Sequence, residues 1–213
     1  MSIAYRLATF DDLAGMASVY AEAFPDSLRH FFGDRPAPLR AIADALALAV
    51  RAEPESNFVA DLDGRIVGYC LAPIHLSRLS KACGATCLAR FLGRWITGRY
   101  GLGLRSLWLL GRDKLHARRQ SQDDPHQADA HILSIAVSPD TQGQGVGKTL
   151  LRHALCHFDR QRVERVRLEV RPDNTPALRL YEKYGFVTVG RTDDSQGEWL
   201  IMLRPGRPPR RAS

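Results

Sequence analysis

Between Ser134 and Leu151 the chain reads SIAVSPDTQGQGVGKTLL, and three glycines at alternate positions, Gly143, Gly145 and Gly147, constrain the local fold more than any other feature. The apolar run Ile135-Ala136-Val137 stops at Ser138-Pro139-Asp140, and Lys148-Thr149-Leu150-Leu151 reads as helix after the glycines. The pattern is strand, tight turn, glycine loop, helix. Glycine lets a backbone turn and come close to a ligand without a Cβ in the way. The unpaired N–H groups at a helix N-terminus bind anions. A phosphate-bearing ligand is therefore expected on Gln142, Gly143, Gln144, Gly145, Val146, Gly147 and Lys148. Two familiar phosphate loops fail by one position each. The nucleoside-triphosphate loop needs glycine where the chain has Gln142, and the dinucleotide fingerprint needs glycine where it has Lys148.

The 213 residues, 45% of them hydrophobic, suffice for one large domain with a core. No apolar run approaches the length of a membrane span, and MSIAYRLATFDD lacks a signal-peptide pattern, so a soluble cytoplasmic protein is expected. Cys70, Cys83, Cys87 and Cys156 are irregularly spaced and have no partner pair at zinc-site spacing. They read as reduced thiols, and no metal is expected. The net charge of +7 is unevenly spread: residues 74 to 119 hold ten Lys or Arg against one acid, Asp113, and RPGRPPRRAS holds four arginines.

The element order predicted from periodicity and caps is β-α-α-β-β-insertion-β-α-β-α-β-β. Residues 3 to 8 are a strand, and Thr9 with Asp12 resembles a capping box opening a helix that Pro25 stops. A helix is predicted from about Leu39 to Ala52, then strands 57–61 and 65–73 joined at Asp63-Gly64. Ala130 to Ser138 is a strand, Gly147 to about Arg160 a helix, Arg165 to Arg171 a strand and Asn174 to Tyr184 a helix ended by Gly185. Strands at 186–191 and 198–203 close the domain, 1–204, and a disordered basic tail is expected from Pro205.

Gln142-x-x-Gly145-x-Gly147 resembles the pyrophosphate loop of the GNAT superfamily, the coenzyme A-dependent N-acyltransferases. Asn174-x-x-Ala177-x-x-Leu180-Tyr181-x-x-x-Gly185-Phe186 is similar to that family's strand-helix-strand signature. The resemblance implies an α/β fold: a mostly antiparallel mixed sheet with one splayed strand pair, helices on both faces, and here a helical insertion at 74–129. It implies acetyl-CoA as co-substrate and acetyl transfer to a primary amine. Backbone groups of Ile135, Ala136 and Val137 would hold the pantetheine arm and thioester, with the Val137 N–H on the oxyanion. Asn174 and Tyr181 are seven apart, two helical turns, so they share a face and can both reach the ligand. By resemblance Tyr181 protonates the leaving thiolate, and Tyr184 is the spare. Two base candidates stay open. Glu169 precedes Tyr181 by twelve residues, the separation in bacterial acetylases of ribosomal-protein N-termini, and His131 stands six residues before Val137, where histone-type members carry a glutamate as base and arylalkylamine-type members a histidine. Histidine titrates near neutrality without special tuning. No cysteine suits a nucleophile, so a ternary complex without acyl-enzyme is expected.

Within the insertion, Leu88, Phe91, Leu92, Trp95 and Ile96 mark an amphipathic helix with Arg90, Arg94 and Arg99 off its apolar stripe, and Leu104, Leu107, Trp108 and Leu115 suggest another. Three roles stand for it: a wall or lid of the acceptor site, a homodimer contact, or contact with an anionic membrane or lipid-linked acceptor. Nucleic acid is disfavoured because no binding motif accompanies the charge. A small-molecule amine is preferred over a protein N-terminus as acceptor. The alternatives are a longer acyl-CoA donor and a non-catalytic acyl-CoA sensor.

Overall fold

The computed structural model describes residues 2–33, 38–82, 93, 94, 97 and 126–206. Strand β1 (Ile3–Leu7) enters α1 (Leu13–Ala23) through a single 3-10 turn, where Thr9 and Asp12 form the expected capping box. Asp12 is buried. One of its carboxylate oxygens accepts the Thr9 N–H at 2.8 Å, and Arg6 grips both oxygens at 2.7 Å while also reaching Asp61 at 2.9 Å. The Arg6 guanidinium, helped by Thr9, holds the Asp12 carboxyl down at about 2. A depressed carboxyl stabilises the fold above its unfolded-state value of about 3.9, and that contribution is lost as pH falls toward 2. Asp12→Asn is expected to destabilise the protein by about 1–2 kcal/mol at neutral pH, a figure lowered for the half-exposed Arg6, with the difference shrinking toward pH 2. Chemical denaturation of both proteins at several pH values checks it; a difference independent of pH would contradict it.

Pro25 stops α1, as expected, and also opens a further helix. It sits in the first turn of α2 (Pro25–Phe32), where a missing N–H breaks no hydrogen bond, and the chain turns at Phe24 (φ −126°, ψ 55°). Helix α3 (Leu39–Ala52) follows, then β2 (Asn57–Leu62) and β3 (Arg65–Leu71). Their turn is the expected one, with positive φ at both Asp63 (51°) and Gly64 (89°). Helix α4 (Leu76–Ala82) opens the insertion. The helices expected over 88–99 and after Tyr100 lie outside the described residues apart from 93, 94 and 97; Arg94 is ion-paired with Asp44 of α3.

Strands β4 (Ala130–Ile132) and β5 (Ser134–Val137) come from one expected strand. Helix α5 (Val146–Arg160), β6 (Arg165–Val170), α6 (Thr175–Lys183), β7 (Val187–Asp194) and β8 (Gly197–Pro205) complete the order. Pro205 belongs to β8, which corrects the expected start of the tail; residues 207–213 lie outside the described residues.

The sheet is parted in two, in the orders β1-β2-β3-β5 and β4-β6-β8-β7. One core joins α5 and Tyr181 of α6 to one face, through Val67, Cys70, Ile132, Leu168 and Met202. The other packs α1 and α3 on the opposite face of the first sheet, through Val59, Ile66, Tyr69, Leu71 and Ala136. From Gly68 to Leu71 the β3 residues alternate between these cores, as the period of two requires, and the register shift at Val67 puts Val67 and Gly68 on the same, α5-facing side. No described helix is long and apolar enough to cross a membrane.

Candidate functional site

The partition of the sheets is local to Leu133. Strand β4 runs parallel to β6, with Ala130, His131 and Ile132 opposite Val166, Arg167 and Leu168. Strand β5 pairs with β3 instead, with Ser134 opposite Leu71 and Val137 opposite Gly68. The Leu133 N–H also donates to the Leu71 carbonyl, at 2.9 Å, so Leu133 and Ser134 together oppose one residue. That two-against-one count is a β-bulge, which bends a strand and re-aims its side chains. It carries β5 away from β6 and leaves β5 an edge strand among the described residues.

Ser138 N–H donates to the Val67 carbonyl at 2.9 Å. Alternation along β5 then turns the N–H and C=O groups of Ser134 and Ala136 toward β3, and those of Ile135 and Val137 into the opening. Such an edge offers unpaired donors and acceptors to an extended ligand. The Val137 carbonyl already accepts the Gln142 side-chain amide at 3.2 Å, which ties the strand end to the glycine loop.

The loop is a 3-10 turn, Pro139–Thr141, followed by Gln142 to Gly145. Gly143 (φ 78°) and Gly145 (φ 81°) lie in the left-handed region, and a Cβ at either would meet open space. The positive φ therefore demands glycine there, rather than crowding. Gly145 is the N-cap of α5, and the Thr149 N–H donates to the Gly145 carbonyl at 3.0 Å. The N–H groups of Val146, Gly147 and Lys148 precede the first intrahelical bond and are available to an anion. These residues suit a pyrophosphate: open space over the turn, several convergent N–H groups and no carboxylate aimed inward. The carboxylate of Asp140 in the turn is ion-paired with Arg65, and that of Glu22 accepts the Ser138 hydroxyl. Helix α5 begins one residue earlier than expected and makes Lys148 its third residue, so its backbone N–H rather than a phosphate-seeking side chain is the natural donor.

Asn174 is the N-cap of α6, its side-chain oxygen accepting the Ala177 N–H at 3.2 Å, which leaves its amide N–H₂ to other partners. Tyr181 is buried against Phe186, ring centroids 5.9 Å apart, in the same core as Cys70 and Ile135. No described residue hydrogen-bonds its hydroxyl. Burial raises its phenol well above the ordinary range. Tyr184 has a structural contact, its carbonyl accepting Arg204 at 2.9 Å. Burial likewise raises the Cys70 thiol, so it stays protonated, and Cys156 faces outward on α5.

Both base candidates lie on the face away from α5. His131 is opposite Arg167 in the register, and Glu169 follows two residues later on the same strand face. The Arg167 side chain, mostly buried, donates to the Glu169 carboxylate at 2.8 Å and to the His126 carbonyl at 3.4 Å. Arg167 was not anticipated; its i, i+2 alternation with Glu169 was the available signal. The paired part of β4 and β6 ends at Ile132–Leu168. Glu169 is thus the first β6 residue beside the opening, and His131 lies one step deeper in the closed part.

Other contacts enclose this face. Ser138 donates to Glu22 at the end of α1, His30 of α2 is 3.0 Å from the Ser195 hydroxyl in the β7–β8 turn, and His126 packs on Gly190. None of these pairs has a local sequence signal, because each joins distant segments. Among the described residues no group of three or more His, Cys, Asp or Glu is placed to hold a metal ion.

A model of the acetyltransferase (GNAT) family matches residues 13–186. An Escherichia coli K12 [ribosomal protein bS18]-alanine N-acetyltransferase is 39% identical over 83 residues, 36% of this chain and 56% of that protein. A mycothiol acetyltransferase of Saccharomonospora viridis is 46% identical over 58 residues, 27% of this chain and 19% of that protein. The chain spans at most about half the length of these curated relatives. Among solved structures, SsHAT superposes with a TM-score of 0.71 at 24% identity, covering 97% of this chain and 100% of that one, a likeness of fold.

Proposed function

The chain belongs to the GNAT acetyltransferase family, and from that premise we propose that it transfers an acetyl group from acetyl-CoA to a primary amine by direct attack within a ternary complex. The observation that carries the reading is the opening between β5 and β6, with the glycine turn at its foot and the buried Tyr181 hydroxyl in the adjoining core.

Each residue has a distinct task in this reading. The N–H groups of Val146, Gly147 and Lys148 hold the pyrophosphate. The inward-turned groups of Ile135 and Val137 hold the pantetheine amides, with Asn174 at the near end of α6. The Val137 N–H stabilises negative charge developing on the thioester oxygen, a donor fixed in place before reaction. The acceptor arrives on the face lined by His131, Arg167 and Glu169. An alkyl ammonium, with pKa about 10.4, must lose a proton before its nitrogen can attack. Glu169 receives that proton, because it stands at the opening and Arg167 keeps its carboxylate oriented. The N–C bond then forms, the C–S bond breaks, and the Tyr181 hydroxyl donates to the departing sulfur. Of the two protons the ammonium loses overall, one ends on the thiol and the other in solvent. Much of the rate comes from holding amine and thioester together.

The base assignment has its own expected result. Glu169→Gln should lower kcat/KM for the amine about 10- to 100-fold, while His131→Asn keeps it within about threefold. The opposite outcome would transfer the role to His131. Initial velocities at several concentrations of both substrates test direct attack: intersecting double-reciprocal lines are expected, and parallel lines would indicate an acyl-enzyme.

A further inference from the structure

We propose that Arg171, lying over Trp199, binds an anionic group of the acceptor, so that the site favours primary amines that carry a carboxylate about 7 Å or more from the nitrogen. The inference rests on the acetyl-transfer reading above and names the substrate class for it.

Both side chains lie on the acceptor face. Glu169 pairs with Ile201 and Val170 with Leu200, so one further step of the register sets Arg171 against Trp199. Val170 and Leu200 turn into the core shared with α5, which puts Glu169, Arg171, Trp199 and Ile201 on the opposite face. The observed contact agrees: the Arg171 guanidinium carbon stands 5.3 Å from the centre of the Trp199 ring. Arg171 is thus the next side chain after Glu169 along one strand face. Residues two apart on a strand are separated by about 7 Å. Arg167, on the far side of Glu169, holds the carboxylate, while the Arg171 guanidinium reaches onward to Gln196 in the β7–β8 turn. The span between the two charges is therefore about 7 Å or more.

The guanidinium is fixed and has donors left over. Its Nη1 donates to the Gln196 carbonyl at 2.9 Å. Gly197 (φ 112°) makes room for it, since a Cβ there would come within 3.2 Å of Nη1. Asp173 is exposed and 3.9 Å from Nε, beyond hydrogen-bond reach. Asp194 is occupied in the turn, accepting the Gln196 N–H at 2.7 Å. No described residue hydrogen-bonds Nε or Nη2 of Arg171. A planar guanidinium held against an aromatic ring with an open edge suits a carboxylate, which it can bind through two parallel hydrogen bonds. The Trp199 indole N–H in the same corner is shielded from solvent and has no acceptor among the described residues. A buried donor left unpaired is costly, and an oxygen brought in by the ligand removes that cost. The pyrophosphate turn is at the head of α5, on the other face of this sheet, so the anion belongs to the acceptor and not to acetyl-CoA.

The test uses the full chain and acceptor pairs that differ only in charge: ε-aminocaproate and its amide, an Ala-Glu and an Ala-Gln peptide amide, and free glycine with glycinamide as a pair too short to span the two groups. In the parent, kcat/KM for the two long carboxylates is expected to exceed that for their amides about tenfold. Arg171→Gln should bring that ratio to about one, leave the ratio for the short pair unchanged and keep the KM for acetyl-CoA within about twofold. Arg171→Lys, which retains the charge without the fork, should restore part of the preference. Trp199→Phe, which keeps a ring and loses the N–H, should slow the long carboxylates about threefold and leave their amides unchanged. A purely structural Arg171 would instead slow charged and neutral acceptors alike, and that result in Arg171→Gln would overturn the inference. So would a parent with no preference for the long carboxylates over their amides. A parent that releases no thiol with any of these amines removes the underlying acetyl-transfer reading, whereas an active parent indifferent to charge removes only this assignment.

Discussion

Tyr181→Phe is expected to lower kcat about 100-fold while leaving the KM for acetyl-CoA within about twofold. The ring stays packed on Phe186 and only the hydroxyl is lost, so stability should hold as well. The physical content lies in what the hydroxyl can do. A thiol ionises near 8.5, below even an unperturbed phenol near 10, and burial carries Tyr181 higher still. Full proton transfer to the leaving sulfur would run uphill, so Tyr181 acts by hydrogen-bonding the developing thiolate and stays protonated throughout. Two results follow for the pH profile. The parent should show no decline in kcat between about pH 8 and 10 from tyrosine ionisation, and the variant should keep the same profile shape at a lower level. Equal turnover in the variant would remove Tyr181 from the chemistry and leave it a core residue.

The second large effect belongs to the glycine turn and separates two glycines that look alike in the sequence. At Gly145 (φ 81°) a β-branched side chain is strained by about 1–2 kcal/mol, and the chain can escape only by moving the turn that caps α5. The N–H groups beside it then lose their common aim. Gly145→Val is expected to raise the KM for acetyl-CoA about 10- to 100-fold, the loss of one or more charge-assisted hydrogen bonds. Gly147 is helical, and its Cβ would sit 3.5 Å from the Val137 side chain, an ordinary contact turned inward. Gly147→Ala should leave that KM within about threefold and hold or raise the unfolding temperature, since alanine is the better helix residue by up to about 1 kcal/mol. Acetyl-CoA titrations of both variants would check this pair. A Gly147→Ala protein as impaired as Gly145→Val would mean the ligand approaches the helix closely, and the contact with Val137 would not be the governing one.

The legible parts of the chain were those whose physics is local. Alternation along Arg165 to Val170 placed Glu169 off the apolar face, Asp63-Gly64 fixed the hairpin, and Thr9 with Asp12 marked the entry to α1. The three alternating glycines marked the loop, but that 143 and 145 take left-handed turns while Gly147 is helical is a distinction their spacing does not carry. Pro25 marked the end of α1, but that it also opens α2 was hidden, because proline suits a first helical turn as well as a stop. The bulge at Leu133 was hidden for a different reason. Ala130 to Ser138 reads as one apolar strand, and nothing in that run says that its halves pair with different partners. The same holds for Tyr69–Ser134 and His30–Ser195, each a contact between segments that the fold alone brings together. Arg167 lay between these cases: visible as a neighbour of Glu169 by spacing, but assigned its role only once the salt bridge was seen.

The central claim is that this opening transfers an acetyl group as well as holding acetyl-CoA. It is tested most directly by following thiol release from acetyl-CoA, with and without primary amines, while reading the masses of amine and protein. Amine-dependent release, acetylated amine and an unmodified protein are the expected result. Tight acetyl-CoA binding with no release across the amines would contradict it and leave the chain an acyl-CoA-binding sensor.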